Sequence, residues 1–173
     1  MIANHKNWAV RIATLNLPAN TKMPGTVGSG LVLIYLTGFC VINLLSNFYP
    51  ALQVLSFASY NLLVPVIASL IALLIISRAL KFFTQKDPGL ICLDEVVGML
   101  VSMCLIPINF ATVLIGFLLF RFFDILKPFG IKQIEQLQGA WGVLFDDFLA
   151  GVYANLSLRL IIWLFIRVAL FFE

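Results

Sequence analysis

The chain has 173 residues, 62% of them hydrophobic and only 11% charged, with a formal net charge of +3. A soluble domain usually carries about 25% charged residues, so the composition excludes an ordinary soluble protein and predicts an all-α integral membrane protein. The small positive excess suits anchoring at a membrane interface and does not suggest a nucleic-acid partner.

The size suits one membrane-embedded domain over residues 1–173, a small helical bundle of about four to five membrane segments. Residues 1–22 read as an interfacial segment. Within it, 2–17 predict a short amphipathic helix in which Ile2, Trp8, Val10, Ile12 and Leu15 are apolar, Lys6 and Arg11 snorkel, and Pro18 ends the helix. This stretch mixes polar and apolar residues and lacks the apolar core of a secretory signal.

Met23-Pro-Gly-Thr-Val-Gly-Ser-Gly30 reads as a glycine-rich loop entering a first span over about 28–45. Thr26 or Ser29 can cap that helix, and the second reading is an anion site at its N-terminus. Residues 46–52 form a turn with Tyr49 at the interface, and a second span covers about 53–76 with Pro65 inside it as a kink. Met23 to Ser77 contains no Asp, Glu, Lys or Arg. Arg78, Lys81 and Lys86 then return the chain to the first side.

Lys86 to Gly98 (KDPGLICLDEVVG) ends in the adjacent carboxylates Asp94 and Glu95, and an uncharged run follows from Val96 to Phe120. A single helix from Asp94 to Phe120 would cover about 40 Å and put Arg121 on the far side. A break at Pro107–Asn109 would instead make a short or re-entrant helical hairpin. The hairpin is the preferred reading, because it gathers nine of the eleven basic residues on one face. By the positive-inside rule that face is cytoplasmic.

Residues 121–147 are the longest polar stretch. Ile131 to Gln138 predicts an interfacial helix, Gly139-Ala-Trp-Gly142 a turn, and 148–172 a last span. That span carries Asn155, Arg159 and Arg167 on one sector. Arg159 reads first as a structural partner of a carbonyl or of Asn155, and second as a substrate contact. Gly98 and Gly151 each follow a carboxylate pair by about one helical turn, which allows close helix approach.

Seven of the eight acidic residues lie between Asp87 and Asp147. For any one of them alone, solvated charge at the interface is one of two open readings. Asp94, Glu95, Asp124, Asp146 and Asp147 together form three sets on one predicted face, beside apolar segments where an unpaired charge costs several kcal/mol, on the order of 3–5. A carboxylate cluster suits a hard cation, Mg²⁺ first, with Mn²⁺ or Ca²⁺ as alternatives. Arg121 and Lys127 lie three residues either side of Asp124 and either pair with it or hold phosphate oxygens. The chain has no Cys with Arg six positions on, no Asp-x-Asp and only one His, His5. Cys-based, aspartyl-phosphate and phosphohistidine routes are therefore disfavoured, and metal-assisted attack by water or a carboxylate remains. Cys40, Cys92 and Cys104 form no CxxC pair and suggest neither disulfides nor zinc.

Four blocks resemble the signature blocks of the phosphatidylglycerophosphatase A family, in the family's order. They are Met23-Pro-Gly-Thr-Val-Gly-Ser29, Lys86 to Gly98, Phe120-Arg-Phe-Phe-Asp-Ile-Leu-Lys-Pro128 and Gly142-Val-Leu-Phe-Asp-Asp-Phe-Leu-Ala-Gly151. The resemblance implies a Mg²⁺-dependent phosphatase of the bacterial inner membrane. It would act on a phospholipid substrate, converting phosphatidylglycerophosphate to phosphatidylglycerol and phosphate at the cytoplasmic face. It implies catalytic roles for Asp94, Glu95, Asp124, Asp146 and Asp147. Asp94, Glu95, Asp146 and Asp147 would be metal ligands, and Thr26, Arg121 and Lys127 would bind phosphate. The chain departs from the family pattern at Gly130, Ala140 and Glu135, all in the connecting loop. Two rival readings are a metal-dependent lipid headgroup transferase, which would need a nucleotide site, and a carboxylate-lined cation channel or transporter, which would need acids deep within its spans.

Overall fold

The structure, a computed structural model, describes residues 7–18, 21–46, 62–84, 89–128 and 130–172. It is all-helical, with 77% helix and no strand among the described residues. The helices are α1 (Trp8–Ala13), α2 (Pro24–Ser46), α3 (Leu63–Ala79), α4 (Leu93–Ser102), α5 (Phe110–Leu126), α6 (Ile131–Ile134) and α7 (Ala140–Phe171), with a 3₁₀ turn at Leu80–Phe82.

Local chemistry sets these bounds, in places against the expectations above. Asn7 caps α1 by accepting from the Ala9 amide at 2.9 Å. The helix ends at Ala13, short of Pro18, because Leu15 and Asn16 both turn left-handed, at φ 51° and 56°. The expected start of that helix and His5 lie outside the described residues, as do Tyr49, residues 53–61 of the second expected span, Lys86 and Asp87.

There is no glycine-rich loop at 24–30. Pro24 is the first residue of α2, where its missing N–H has no intrahelical partner to lose. Ser29 is consequently buried inside the helix and donates to the Gly25 carbonyl at 2.9 Å, so it does not cap. Pro65 lies in the first turn of α3 and kinks nothing among the described residues, since first-turn amides are unpaired in any helix.

The run after Glu95 is broken between Ser102 and Phe110. Asn109 and Thr112 close a reciprocal capping box, each side chain accepting the other's backbone amide at 3.0 Å. The expected helix over 131–138 is only four residues long, and the expected turn at 139–142 ends at Gly139, whose φ is 70°. Gly142 is already helical, and a Cβ there would strike the Leu137 carbonyl.

α4 lies at the centre, against α2, α3, α5 and α7. One apolar core joins α1, α3 and α4 to the start of α7, around Val10, Ile76, Val97 and Leu144. A second joins α2, α4, α5 and the middle of α7, around Met99, Val113, Phe120 and Leu158. The α4–α7 crossing is set by two glycines. A Cβ at Gly98 would meet the Phe120 ring and the Asp147 carbonyl, and one at Gly151 would meet the Gly98 carbonyl. This backbone-to-backbone approach brings the carboxylates at the start of α4 beside those of α7.

Two helical stretches among the described residues are long and apolar enough to cross a membrane. They are Leu63–Phe82, with mean hydropathy 2.4, and Ala140–Phe171, with mean hydropathy 1.8. Many of their large apolar side chains are exposed, including Leu70, Leu74, Trp163 and Phe165.

Beyond the site end of the bundle, Asn155 and Arg159 on α7 cap the exit of α4. The Asn155 amide donates to the carbonyls of Ser102 and Cys104 at 2.9 and 2.8 Å. Arg159 donates to Asn155 Oδ1 at 2.8 Å and to the Cys104 and Leu105 carbonyls at 3.0 and 3.2 Å. These contacts answer the carbonyls that a helix end leaves open and match the structural reading of Arg159.

Candidate active site

Asp94 and Glu95 occupy the first turn of α4, and Asp147 lies in the second turn of α7. One carboxylate oxygen from each of the three falls within 4.8 Å of the others. Asp94 and Asp147 are 7% and 5% exposed. Glu95 Oε2 is buried with no hydrogen-bond partner among the described residues. Asp124 also faces this group, since its charge acts on both Glu95 and Asp147.

Burial, then the charge of neighbouring Glu95, pushes the Asp94 carboxyl well above its ordinary range. Burial likewise raises Glu95, against the hydrogen bond from Asp94 and the charge of Arg121. So many carboxylates in one desolvated place repel one another, and they must bind either protons or a cation. The oxygen-only donor set, the small space and the orphaned Glu95 oxygen fit a hard divalent ion such as Mg²⁺.

The cations stand at the edge of this group. Arg121 Nη1 meets Asp124 Oδ2 at 2.5 Å, one turn away on α5. Its Nη2 lies 3.5 Å from Thr26 Oγ1 in the first turn of α2. The same turn passes so close to Glu95 that a Cβ at Gly25 would overlap Oε1 and lie 3.5 Å from Arg121 Nη1. Gly25 thus lets the α2 backbone cover the carboxylates, a role the sequence hides within its Pro-Gly-Thr string.

Lys127 ends α5 in the left-handed conformation, at φ 45°. Its Nζ meets Asp146 Oδ2 at 2.8 Å and Glu135 Oε1 at 3.1 Å. Burial would lower the Lys127 pKa, but the hydrogen bonds and charges of Asp146 and Glu135 outweigh it and the net shift is upward. Asp146 Oδ1 accepts the Asp147 amide at 3.0 Å, so Asp146 links the ammonium to the carboxylate trio.

All eight residues singled out from the sequence therefore lie at one end of the bundle. Asp94, Glu95 and Asp147 converge on one another. Asp124 turns to Arg121 and Asp146 to Lys127, while Thr26 adjoins Arg121. Glu135, marked in the sequence only as a departure from the family pattern and given no role there, also reaches Lys127, because the Pro128–Gly130 break folds the chain back over the eight positions between them.

Fold and site define an all-helical protein with a carboxylate, guanidinium and ammonium centre at one end of its bundle. A family model described as Phosphatidylglycerophosphatase A matches residues 11–162, and the chain belongs to that family. A Bacteroides thetaiotaomicron protein titled "Putative phosphatidylinositol-3-phosphatase" is 38% identical over 81 residues, 45% of this chain and 51% of the relative. A Haemophilus influenzae protein named Phosphatidylglycerophosphatase A is 46% identical over 70 residues, 39% of this chain and 43% of the relative. An Escherichia coli protein of the same name is 28% identical over 132 residues, 75% of this chain and 69% of the relative. The chain thus spans about half the length of the first two relatives. No solved structure matches it.

Proposed function

We propose that this protein is a Mg²⁺-dependent phosphatase of a bacterial cytoplasmic membrane that hydrolyses the terminal phosphate of phosphatidylglycerophosphate. The observation that carries this reading is the carboxylate trio of Asp94, Glu95 and Asp147, standing beside Arg121 in a chain of this family. Asp94, Glu95 and Asp147 would hold the ion. Mg²⁺, when bound, supplies positive charge against the phosphoryl oxygens and favours ionisation of the attacking water.

The chain's own groups do the rest. Arg121, kept in place by Asp124, and the Thr26 hydroxyl offer donors to phosphate oxygens. Lys127, oriented by Asp146, adds a second positive charge. Water attacks phosphorus, the bond to the glycerol oxygen breaks, and that oxygen leaves with the proton that the carboxylates take from the water and pass on. The buried carboxylates beside the phosphate accept the proton that water gives up. The exposed apolar faces of α3 and α7 suit a bilayer, so that the acyl chains remain in lipid and only the headgroup enters the site. The return of α5 to the start of α4 suits a short hairpin entering the membrane from the site's side. The clustering of acids at one end favours this reading over a carboxylate-lined channel.

The names of the relatives share release of phosphate from a phospholipid headgroup but differ in the lipid. The test is phosphate release in detergent micelles with Mg²⁺, offered phosphatidylglycerophosphate and phosphatidylinositol 3-phosphate separately. Preferential turnover of phosphatidylglycerophosphate supports the proposal. Preference for the inositol lipid overturns its substrate, and no release from either lipid by folded protein overturns the activity.

A further inference from the structure

We propose that Glu135 is an exchangeable partner of Lys127, holding the ammonium in the substrate-free site and yielding it to the headgroup phosphate. The inference rests on the reading of Lys127 as a phosphate-binding residue.

The backbone of Lys127 is fixed. Its amide donates to the Phe123 carbonyl at 2.8 Å, its φ is left-handed, and Pro128 follows. From this anchored backbone the ammonium reaches two carboxylates. The two are unlike. The Asp146 side chain is 9% exposed, stands on the long helix α7, and has its other oxygen engaged by the Asp147 amide. The Glu135 side chain is 38% exposed and follows a four-residue helix, in the turns that lead to Gly139. An ammonium flanked by two carboxylates belongs to a triad with net negative charge, which repels an arriving phosphate monoester. Release of one carboxylate removes that repulsion and frees an N–H donor for the phosphate. The exposed pair is the weaker one, because solvent screens it and a glutamate side chain gains rotamer freedom on release. Asp146 remains to orient the ammonium while Glu135 swings out to water.

Glu135 thus sets substrate affinity by competing with the phosphate. Replacing it with glutamine keeps the shape and removes the charge. For Glu135→Gln, KM for phosphatidylglycerophosphate should fall about two- to fivefold, as should the inhibition constant for inorganic phosphate, which is the scale of an exposed ion pair. The change should appear in KM and not in kcat. A merely structural role would lower the melting temperature and leave KM unchanged or raise it. Lys127→Met is measured alongside. A raised KM in Lys127→Met with a lowered KM in Glu135→Gln supports the proposal. A raised KM in Lys127→Met with an unchanged or raised KM in Glu135→Gln overturns the exchange and leaves the phosphate-binding reading standing. An unchanged KM in Lys127→Met overturns both.

Discussion

Asp94 and Asp147 stand 53 positions apart in the sequence, yet their carboxylates lie within 4.8 Å of each other at the α4–α7 contact. Both are almost fully buried. In the absence of a counter-ion this is a destabilising arrangement, which a bound cation would offset. Asp94→Asn and Asp147→Asn should each reduce turnover by at least about 10³-fold, the scale of losing a principal transition-state contact. Neither should lower the melting temperature of the metal-free protein, because each removes repulsion. A thermal shift on adding Mg²⁺ should be present in the wild type and lost in both variants. Activity near wild type in either variant would contradict the site assignment.

The two carboxylates meet only because Gly98 and Gly151 let the helix backbones touch. Gly98→Ala places a methyl against the Phe120 ring and the Asp147 carbonyl, and the backbone side of that contact cannot yield without moving α7. The cost should be roughly 1–3 kcal/mol, the usual range for overpacking a core. Detergent-solubilised Gly98→Ala should melt several degrees lower and lose activity, whereas alanine at Gly30, where the added Cβ meets nothing, should do neither.

Arg121 is a case where charge alone does not suffice. Its two terminal nitrogens reach Asp124 and Thr26 in different directions, a fork that a single ammonium cannot reproduce. Arg121→Lys should lower kcat/KM by about 10²-fold while leaving the fold intact. A loss below threefold would show that the guanidinium does not touch the phosphate.

The metal-free protein should show an inverted pH profile of stability. Asp94 and Glu95, which open the ten-residue helix α4, bind protons more tightly in the folded chain than at their ordinary values of 3.8 and 4.5. Between those values and the raised ones the folded state holds more protons than the unfolded state, so stability falls as pH rises through the window. In EDTA the protein should therefore melt at a higher temperature at about pH 5 than at about pH 8, and Mg²⁺ should restore much of the difference at the higher pH. A melting temperature that rises with pH in EDTA would contradict the burial of these carboxyls.

Much of the site was legible because its chemistry is conspicuous. Carboxylates beside apolar runs are costly to place, and Pro107 and Asn109 mark the break that returns Arg121 towards Glu95. For Arg159 the sequence left two readings open, a partner for a carbonyl or for Asn155 and a substrate contact, and the structure shows the first set of contacts. Helix starts were harder. Pro-Gly-Thr and Gly-Ala-Trp-Gly read as loops by composition, but Gly25 and Gly142 are needed for close packing and sit within helices. The pairing of Lys127 with Asp146 and Glu135 depends on a left-handed residue at the end of α5 and on the fold-back after it. Neither shows in local pattern, since lysine at positive φ has no sequence signature.

On the proposed function, Asp94, Glu95 and Asp147 hold a divalent ion for hydrolysis of a lipid phosphate. The most direct test is phosphate release from phosphatidylglycerophosphate in detergent micelles, with Mg²⁺ and then with excess EDTA, for wild type and Asp94→Asn. The expected result is release by the wild type with Mg²⁺, none in EDTA, recovery on adding Mg²⁺ back, and none from Asp94→Asn under any condition. Release that persists in EDTA, or in folded Asp94→Asn, would contradict it.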